Sequence, residues 1–366
     1  MRINRIALNG FRNYDFETAD FSPGTNVIYG ENAQGKTNLR ESVNMPPMGR
    51  SFRPRFDREL IGFGCDSAEI LADVVSHERE QTVRILLRSG VRKQITVNSV
   101  KKTASELGET LNVVLFCPDD LNLIKEGAAA RRRLMDNAIS QIRPRYAEYL
   151  SQFNKFYESK TRILKDWREK PSLLDTLDEF SDGMCRSSAQ LIRYRASFAA
   201  RLADEAAPIH SEFSGADEKL GIEYSTVSAV KDPTASAKEI FYDLCDHMEA
   251  HRRAELDSGQ CLSGAHKDDL IISINGKNAR SFASQGQTRT AALSIKLAER
   301  EIYLDETGEY PILLLDDVLS ELDTKRQEFV LNRIGGGQTL ITCCEDEGIS
   351  RRTGGKVLHV ANGRIG

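Results

Sequence analysis

The chain has 366 residues, 40% of them hydrophobic and 28% charged, which suffices for a sizeable packed core and excludes wholesale disorder. A formal net charge of −4 means that nucleic-acid binding is not readable from bulk charge and has to come from local basic clusters. The seven cysteines lack any C-x-x-C spacing, so neither a disulfide framework nor a zinc knuckle is indicated. Met1-Arg2-Ile3-Asn4-Arg5-Ile6 lacks the apolar stretch of a signal peptide. No run approaches the roughly 18 apolar residues of a membrane span. A cytoplasmic protein with reduced thiols is expected.

The first elements read as strands. Ile6 and Leu8 alternate with polar residues, and residues 25–29 form a β-rich run that stops at Gly30. Residues 68–98 continue as an antiparallel meander with a turn at Ser89-Gly90. Residues 113–116 read as a buried strand running into Pro118-Asp119-Asp120, whose carboxylates suit a helix start. Glycine then becomes sparse and helical spacing takes over, as in Tyr146, Leu150, Phe153 and Tyr157. One short strand is expected near residues 221–226. Strand signals return at 270–274, 312–315, 339–342 and 356–360, separated by helices over 288–304 and 324–334. That alternation predicts a parallel α/β sheet. The expected organisation is a discontinuous head, 1–127 with 258–366, interrupted by a helical lobe over 128–257.

Gly30-Glu31-Asn32-Ala33-Gln34-Gly35-Lys36-Thr37 fits the phosphate-loop pattern at every defined position and lies between a predicted strand and a predicted helix. A glycine-rich turn with a chance lysine is the competing reading, and the strand–helix context argues against it. The glycines let backbone N–H groups surround phosphates at a helix N-terminus. Lys36 is expected to reach the β- and γ-phosphates, and the Thr37 hydroxyl to ligate Mg²⁺. Residues 312–315 are apolar throughout, implying burial on both faces, and end in Asp316-Asp317. Asp316 is then placed to hold Mg²⁺ and Asp317 to orient or deprotonate the attacking water. Alone, the pair could equally cap a helix. Ser284-Gln285-Gly286-Gln287 opens a helix and offers a second anion site, although such a turn is usually a plain N-cap.

At this point the chain resembles the ABC-type ATPase heads of the SMC class, and within it the RecF family of bacterial recombination mediators. The carrying residues are Asn9-Gly10-Phe11-Arg12-Asn13-Tyr14, the phosphate loop, Gly49-Arg50-Ser51-Phe52-Arg53 and Pro118-Asp119-Asp120-Leu121. Further along they are Arg131-Arg132-Arg133, Gly264-Ala265-His266-Lys267-Asp268-Asp269, Ser284 to Gln287, and residues 313–323. The implied fold is an α/β head of ABC/SMC type, a P-loop parallel sheet plus an antiparallel β meander, with an inserted α-helical lobe. The resemblance implies an ATP-dependent homodimer with weak hydrolysis. It also implies binding to single-stranded and double-strand/single-strand junction DNA, cooperation with RecR and RecO to load recombinase, and a part in replication restart and SOS induction. In such heads ATP lies between the phosphate loop of one subunit and the signature of the other, so Ser284, Gln285, Gly286, Gln287 and Asp323 act in trans. Asp317 is one carbon shorter than the glutamate of faster relatives, which implies slow turnover.

Four positions depart from the family pattern. Pro46-Pro47 is expected to end the helix near Met45. Arg40 stands where an apolar residue is usual, and Lys267 replaces an arginine and loses its bidentate fork.

Three basic clusters are candidates for DNA phosphates or for solvated surface: Arg50, Arg53, Arg55 and Arg58; Arg131, Arg132 and Arg133; and Arg92, Lys93, Lys101 and Lys102. Arg131 to Arg133 open a helix, unfavourable for cations unless an anion is near, such as Asp119 or Asp120. His247 and His251 read as a helix face rather than a metal site, Trp167 as packing in the lobe, and His266 as either a site residue or a local hydrogen bond. Two other functions use some of the same residues. A transporter ATPase shares loop, signature and paired acids but predicts a short helical subdomain, and a P-loop kinase or GTPase leaves Ser284 to Gln287 and Asp323 without work.

Overall fold

In the computed structural model, residues 1–49, 56–344 and 348–366 are described. The chain divides into two compact units, Met1–Asn122 with Ile295–Gly366, and Leu123–Ser294. The first division falls close to the expected one. The second differs: residues 258–294, expected in the head, group with the helical unit because their main strand pairs there.

In the first unit, alternation of buried and exposed residues makes one-sided strands. β1 (Arg2–Phe11), β2 (Tyr14–Asp20), β4 (Ser67–Ser76), β5 (Arg79–Arg88), β6 (Val91–Val97) and β7 (Val100–Lys101) form an antiparallel sheet, in the order β2-β1-β4-β5-β6-β7. The second sheet contains β3 (Thr25–Tyr29) and β8 (Val113–Phe116), joined after the helical unit by β12 (Ile312–Asp316), β13 (Thr339–Cys343), β14 (Lys356–Ala361) and β15 (Arg364–Ile365). Its order is β15-β14-β3-β13-β12-β8, parallel throughout except for the β14–β15 hairpin. Every residue of β12 and β13 is buried, as expected for strands covered on both faces.

Helix α1 (Lys36–Met48) joins the two sheets. Its Leu39 and Val43 enter one core with Ile6 and Leu8 of β1, Ile70 of β4, and Leu314 and Leu340 of the parallel sheet. The helix does not stop at Met45; Pro46 and Pro47 lie inside it. Each proline in a helix interior costs about 3 kcal/mol. Here both fall in the closing turn, where Met45 and Met48 are buried. Gly49, at a left-handed φ of 60°, donates its N–H to the Met45 carbonyl at 2.7 Å and closes the helix.

The second unit is mainly helical: α2 (Ala128–Ile142), α3 (Pro144–Asp166), the 38-residue α4 (Leu177–Ser214), α5 (Ala237–Ala250), α6 (Arg252–Ser258) and α7 (Ala279–Phe282). It also holds β9 (Leu220–Ser225), β10 (Asp269–Ile274) and β11 (Lys277–Asn278), ordered β11-β10-β9 and antiparallel. Residues 270–274 were expected in the parallel sheet. They pair with β9 instead, where β10 buries only one face, unlike the fully buried β12.

Arg195 of α4 ties this unit together. Only 2% of its side chain is exposed, and it bonds Asp136 of α2 at 2.8 Å, Asp268 at 2.7 Å and the Ala265 carbonyl at 2.6 Å. Tyr224 and Thr226 donate to the remaining lone pairs of Asp268 at 2.5 and 2.6 Å. A buried charge is tolerable when it is paired and fully hydrogen-bonded, as it is here. Trp167 donates its indole N–H to the Leu256 carbonyl, fastening the end of α3 to α6.

His266 is a structural residue of this unit. Its Nε2 bonds the Cys261 carbonyl at 2.9 Å, and its ring lies against Tyr157 at 4.7 Å. Burial, aided by the charges of Lys267, Arg132 and Lys160, lowers its pKa to about 4. Because the folded value lies below the ordinary 6.5, stability is complete above pH 6.5 and is lost as pH falls toward 4. That loss amounts to roughly 3 kcal/mol. His266→Gln is expected to flatten this part of the stability–pH curve, measured by urea unfolding between the two limits; an unchanged slope refutes it.

Candidate nucleotide site

The phosphate loop follows β3 directly, and its geometry demands glycine at two places. Gly35 has φ 124°, and a Cβ there lies 2.8 Å from both Asn13 Nδ2 and Tyr14 Oη. A Cβ at Gly30 would fall 2.1 Å from the Val360 carbonyl oxygen. Ala33 also takes a left-handed φ of 65°. Glu31, Asn32 and Ala33 are exposed at the loop's crest, while Gly35 and Lys36 are buried.

Neighbouring strands hold the loop in shape. Tyr14 donates its hydroxyl to the Gly35 carbonyl at 3.0 Å, and Asn13 donates to the Gln34 carbonyl at 3.2 Å. Asn38 of α1 donates to Asn13 at 2.8 Å, and Gln34 accepts backbone N–H groups from Asn362 and Gly363. The braces Asn13, Tyr14 and Asn362 are residues whose role sequence reasoning missed. Asn13 and Tyr14 lie in a quoted motif, but nothing in their spacing aims them at residues 34 and 35. Lys36 is only 4% exposed and donates to the Gly30 and Glu31 carbonyls at 2.5 and 3.1 Å. Gly35 caps α1 without a side-chain hydrogen bond, so the helix start presents unpaired N–H groups.

The parallel register brings the paired acids to the same edge. Thr342 lies opposite Ile28 of β3 on one side and opposite Asp316 of β12 on the other. The Thr342 hydroxyl donates to Asp316 Oδ1 at 2.9 Å and accepts the Asp317 N–H at 3.0 Å, so one side chain fixes both acids. The sequence marks Thr342 only as the last residue of an expected strand.

Asp317 has a left-handed φ of 51°, and its Oδ1 is buried without a hydrogen-bond partner among the described residues. Strain and an orphaned polar atom commonly collect at functional positions. Burial raises the Asp317 pKa, the charge of Asp316 adds to this, and Lys36 and Arg40 oppose it. A carboxylate so shifted is a better proton acceptor than an exposed one. Arg40, the departure in α1, is buried and pairs with Asp316 Oδ2 at 3.2 Å. The Thr37 hydroxyl and Asp316 are hard oxygen donors of the kind magnesium takes, and the glycine turn with buried Lys36 suits a triphosphate.

Ser284 and Gln287 form a capping box at the start of α8 (Gln285–Thr307). The Gln287 N–H donates to Ser284 Oγ at 3.2 Å, and the Ser284 N–H donates to Gln287 Oε1 at 2.9 Å. Gln287 Nε2 reaches Glu218 at 2.7 Å. Ser284 and Gln285 remain exposed and Gly286 half-buried. Asp323 is the N-cap of α9 (Thr324–Arg333): it accepts the Arg326 N–H at 3.0 Å and pairs with the Arg326 side chain.

The basic candidates separate on inspection. Arg50, Arg53 and Arg55 lie outside the described residues. Arg58 is exposed beside the Phe56 ring, Lys93 pairs with Asp57 at 2.9 Å and Lys102 with Glu106 at 3.0 Å. Arg131 is not available to DNA: it is 4% exposed, pairs with Asp269 at 2.6 Å and donates to the Leu123 and Glu126 carbonyls. The anion that compensates it at the start of α2 is therefore Asp269. Arg132 is half-buried on the Asp268 carbonyl, and Arg133 is exposed. Both carboxylates of the Asp268-Asp269 motif thus serve arginines of their own unit, while Lys267 is exposed. His247 and His251 stack at 4.0 Å, and the described residues bring no group of three or more His, Cys, Asp or Glu together at metal-binding distance.

Arg131→Ala leaves Asp269 without its buried partner and is expected to cost about 3 kcal/mol in chemical denaturation. Arg133→Ala is expected to change stability by less than about 0.5 kcal/mol. Equal effects of the two substitutions refute this division.

The sequence model of the RecF/RecN/SMC N-terminal domain matches residues 2–353. The DNA replication and repair protein RecF of Acetivibrio thermocellus is 39% identical over 362 residues, covering 98% of each chain. Its counterpart in Listeria welshimeri is 41% identical over 363 residues, covering 96% of this chain and 95% of the relative. Among solved structures, the recombination mediator RecF-ATPrS of the RecFOR pathway superposes with a TM-score of 0.92 at 33% identity, covering 100% of this chain and 97% of that one. The RecF-ATP form gives 0.89 at 34% identity, covering 100% and 96%. The Smc head of Pyrococcus furiosus shares the fold, with a TM-score of 0.55 at 16% identity and coverage of 99% and 94%. Over essentially its whole length, this chain belongs to the RecF family of SMC-type ATPase heads.

Proposed function

We propose that this chain is an ATP-binding, DNA-binding protein of replication and recombinational repair, working as a nucleotide-gated homodimer in the manner of the RecFOR pathway. The observation that carries the reading is the shared edge of three parallel strands, which gathers the phosphate loop, Asp316 and Asp317. In this reading Gly30 to Thr37 cradle the triphosphate and Lys36 moves from its loop carbonyls to the β- and γ-phosphates. Thr37 and Asp316 hold magnesium, which when bound neutralises charge on the phosphate oxygens. Asp317 orients and deprotonates the attacking water, its raised pKa matching that task. With a short carboxylate in that role, hydrolysis is slow and serves as a switch.

Ser284, Gln285, Gly286 and Gln287, with Asp323, are assigned to the partner subunit's nucleotide. The capping box supports this. The side chains of Ser284 and Gln287 hold the start of α8 in shape, with Ser284 and Gln285 exposed at that helix end, where the helix dipole favours an anion. Single-stranded and junction DNA, RecR, RecO and the recombinase are the proposed partners, with a cytoplasmic setting consistent with seven free thiols. Arg133, Arg58, Arg92 and Lys101 are exposed cations suited to DNA phosphate. A transporter subunit predicts a short helical subdomain, whereas here a whole unit, Leu123–Ser294, is mainly helical, which argues against that alternative.

Sedimentation velocity tests the gating. The wild-type chain is expected to shift from monomer to dimer with ATP and magnesium, and Lys36→Ala to stay monomeric. Asp317→Asn is expected to dimerise normally and dissociate more slowly. A wild-type monomer at saturating ATP ends the proposal. Gel shifts on gapped DNA are expected to strengthen with ATP.

A further inference from the structure

Arg40 has no part in the nucleotide chemistry so far described, yet it occupies a costly place. One helical turn beyond Lys36, it directs its guanidinium to the end of β12. Its side chain and that of Asp316 are each 10% exposed, and Nη1 lies 3.2 Å from Asp316 Oδ2. Asp316 Oδ1 is already taken by the Thr342 hydroxyl. Arg40 Nε is buried with no hydrogen-bond partner among the described residues. A guanidinium held with part of its donor set unused is less favourable than the apolar residue expected at that position. What offsets the cost is the adjacent acid pair, whose mutual repulsion needs a cation close by.

We infer that Arg40 is a resident counter-cation at Asp316 and competes with the divalent metal for the same carboxylate oxygen; this rests on the reading of Asp316 as a magnesium ligand. With Arg40 engaged, the charge of the acid pair is offset and the strand ends stay folded without metal. Capture of magnesium at Asp316 then requires the guanidinium to release Oδ2. The chain therefore binds magnesium less avidly at this carboxylate, and its own stability depends little on divalent cations. An apolar residue at position 40 reverses both properties, whereas lysine preserves them by keeping the charge.

The test compares the full-length chain with Arg40→Leu and Arg40→Lys in two measurements. Thermal melting without nucleotide is followed across a magnesium chloride titration. The magnesium concentration giving half-maximal binding of a fluorescent ATP analogue is then determined. Wild type and Arg40→Lys are expected to melt at nearly constant temperature, and Arg40→Leu to melt lower without magnesium and recover as it is added. The half-maximal magnesium concentration of Arg40→Leu is expected to fall about tenfold, within the range for groups in contact. If Arg40→Leu is folded but melts lower by a constant amount at every magnesium concentration, with an unchanged half-maximal value, the pair is merely structural and the inference is overturned. Should Arg40→Leu fail to fold, Arg40→Gln carries the same comparison. If wild type binds no ATP analogue, the nucleotide reading fails, while the melting series still decides the competition at Asp316.

Discussion

The register of β13 between β3 and β12 governs the candidate site. Neighbouring strands lie about 4.8 Å apart, so the ends of β3 and β12 stand about 10 Å from each other. The phosphate loop leaves one and the acid pair leaves the other. Because β12 and β13 are buried on every residue, their register is set by packing on both faces, and a slip would move the whole apolar set. Thr342, in the middle strand, converts this register into chemistry by bonding Asp316 and Asp317 together.

The site is also a problem of charge. Two carboxylates emerge side by side from a buried strand, and among the described residues Lys36, Arg40 and the Thr342 hydroxyl offset them. Lys36 is occupied with the Gly30 and Glu31 carbonyls, and Arg40 holds Asp316. Asp317 is left with a raised pKa, an oxygen without a hydrogen-bond partner among the described residues, and a left-handed backbone. These three features set it apart from Asp316, whose two oxygens are held by Thr342 and Arg40.

The helical unit follows the same rule at a different scale. Asp268 and Asp269, adjacent in sequence, pair with Arg195 and Arg131, and the first of these links α2 and α4 to the start of β10. A motif that reads as functional in one dimension is here an anchor. Its polar character reflects the need to satisfy buried charge within the unit.

Sequence alone determined the phosphate loop, the buried strand ending in Asp316-Asp317, the helical insertion and the family, because each is a local pattern: glycine spacing, an unbroken apolar run, 3.6-residue periodicity. Tertiary structure decided the rest. It showed that β10 pairs with β9, since one-sided burial is a property of neighbours rather than of the strand. It carried α1 through Pro46 and Pro47, since buried methionines and the Gly49 cap outweigh a local penalty. It withdrew Arg131 from the basic surface and gave Arg40 a carboxylate, since the partners of both arginines lie far along the chain. Asn13, Tyr14 and Thr342 were illegible for the same physical reason: a hydrogen bond between distant residues leaves no periodic trace in either segment.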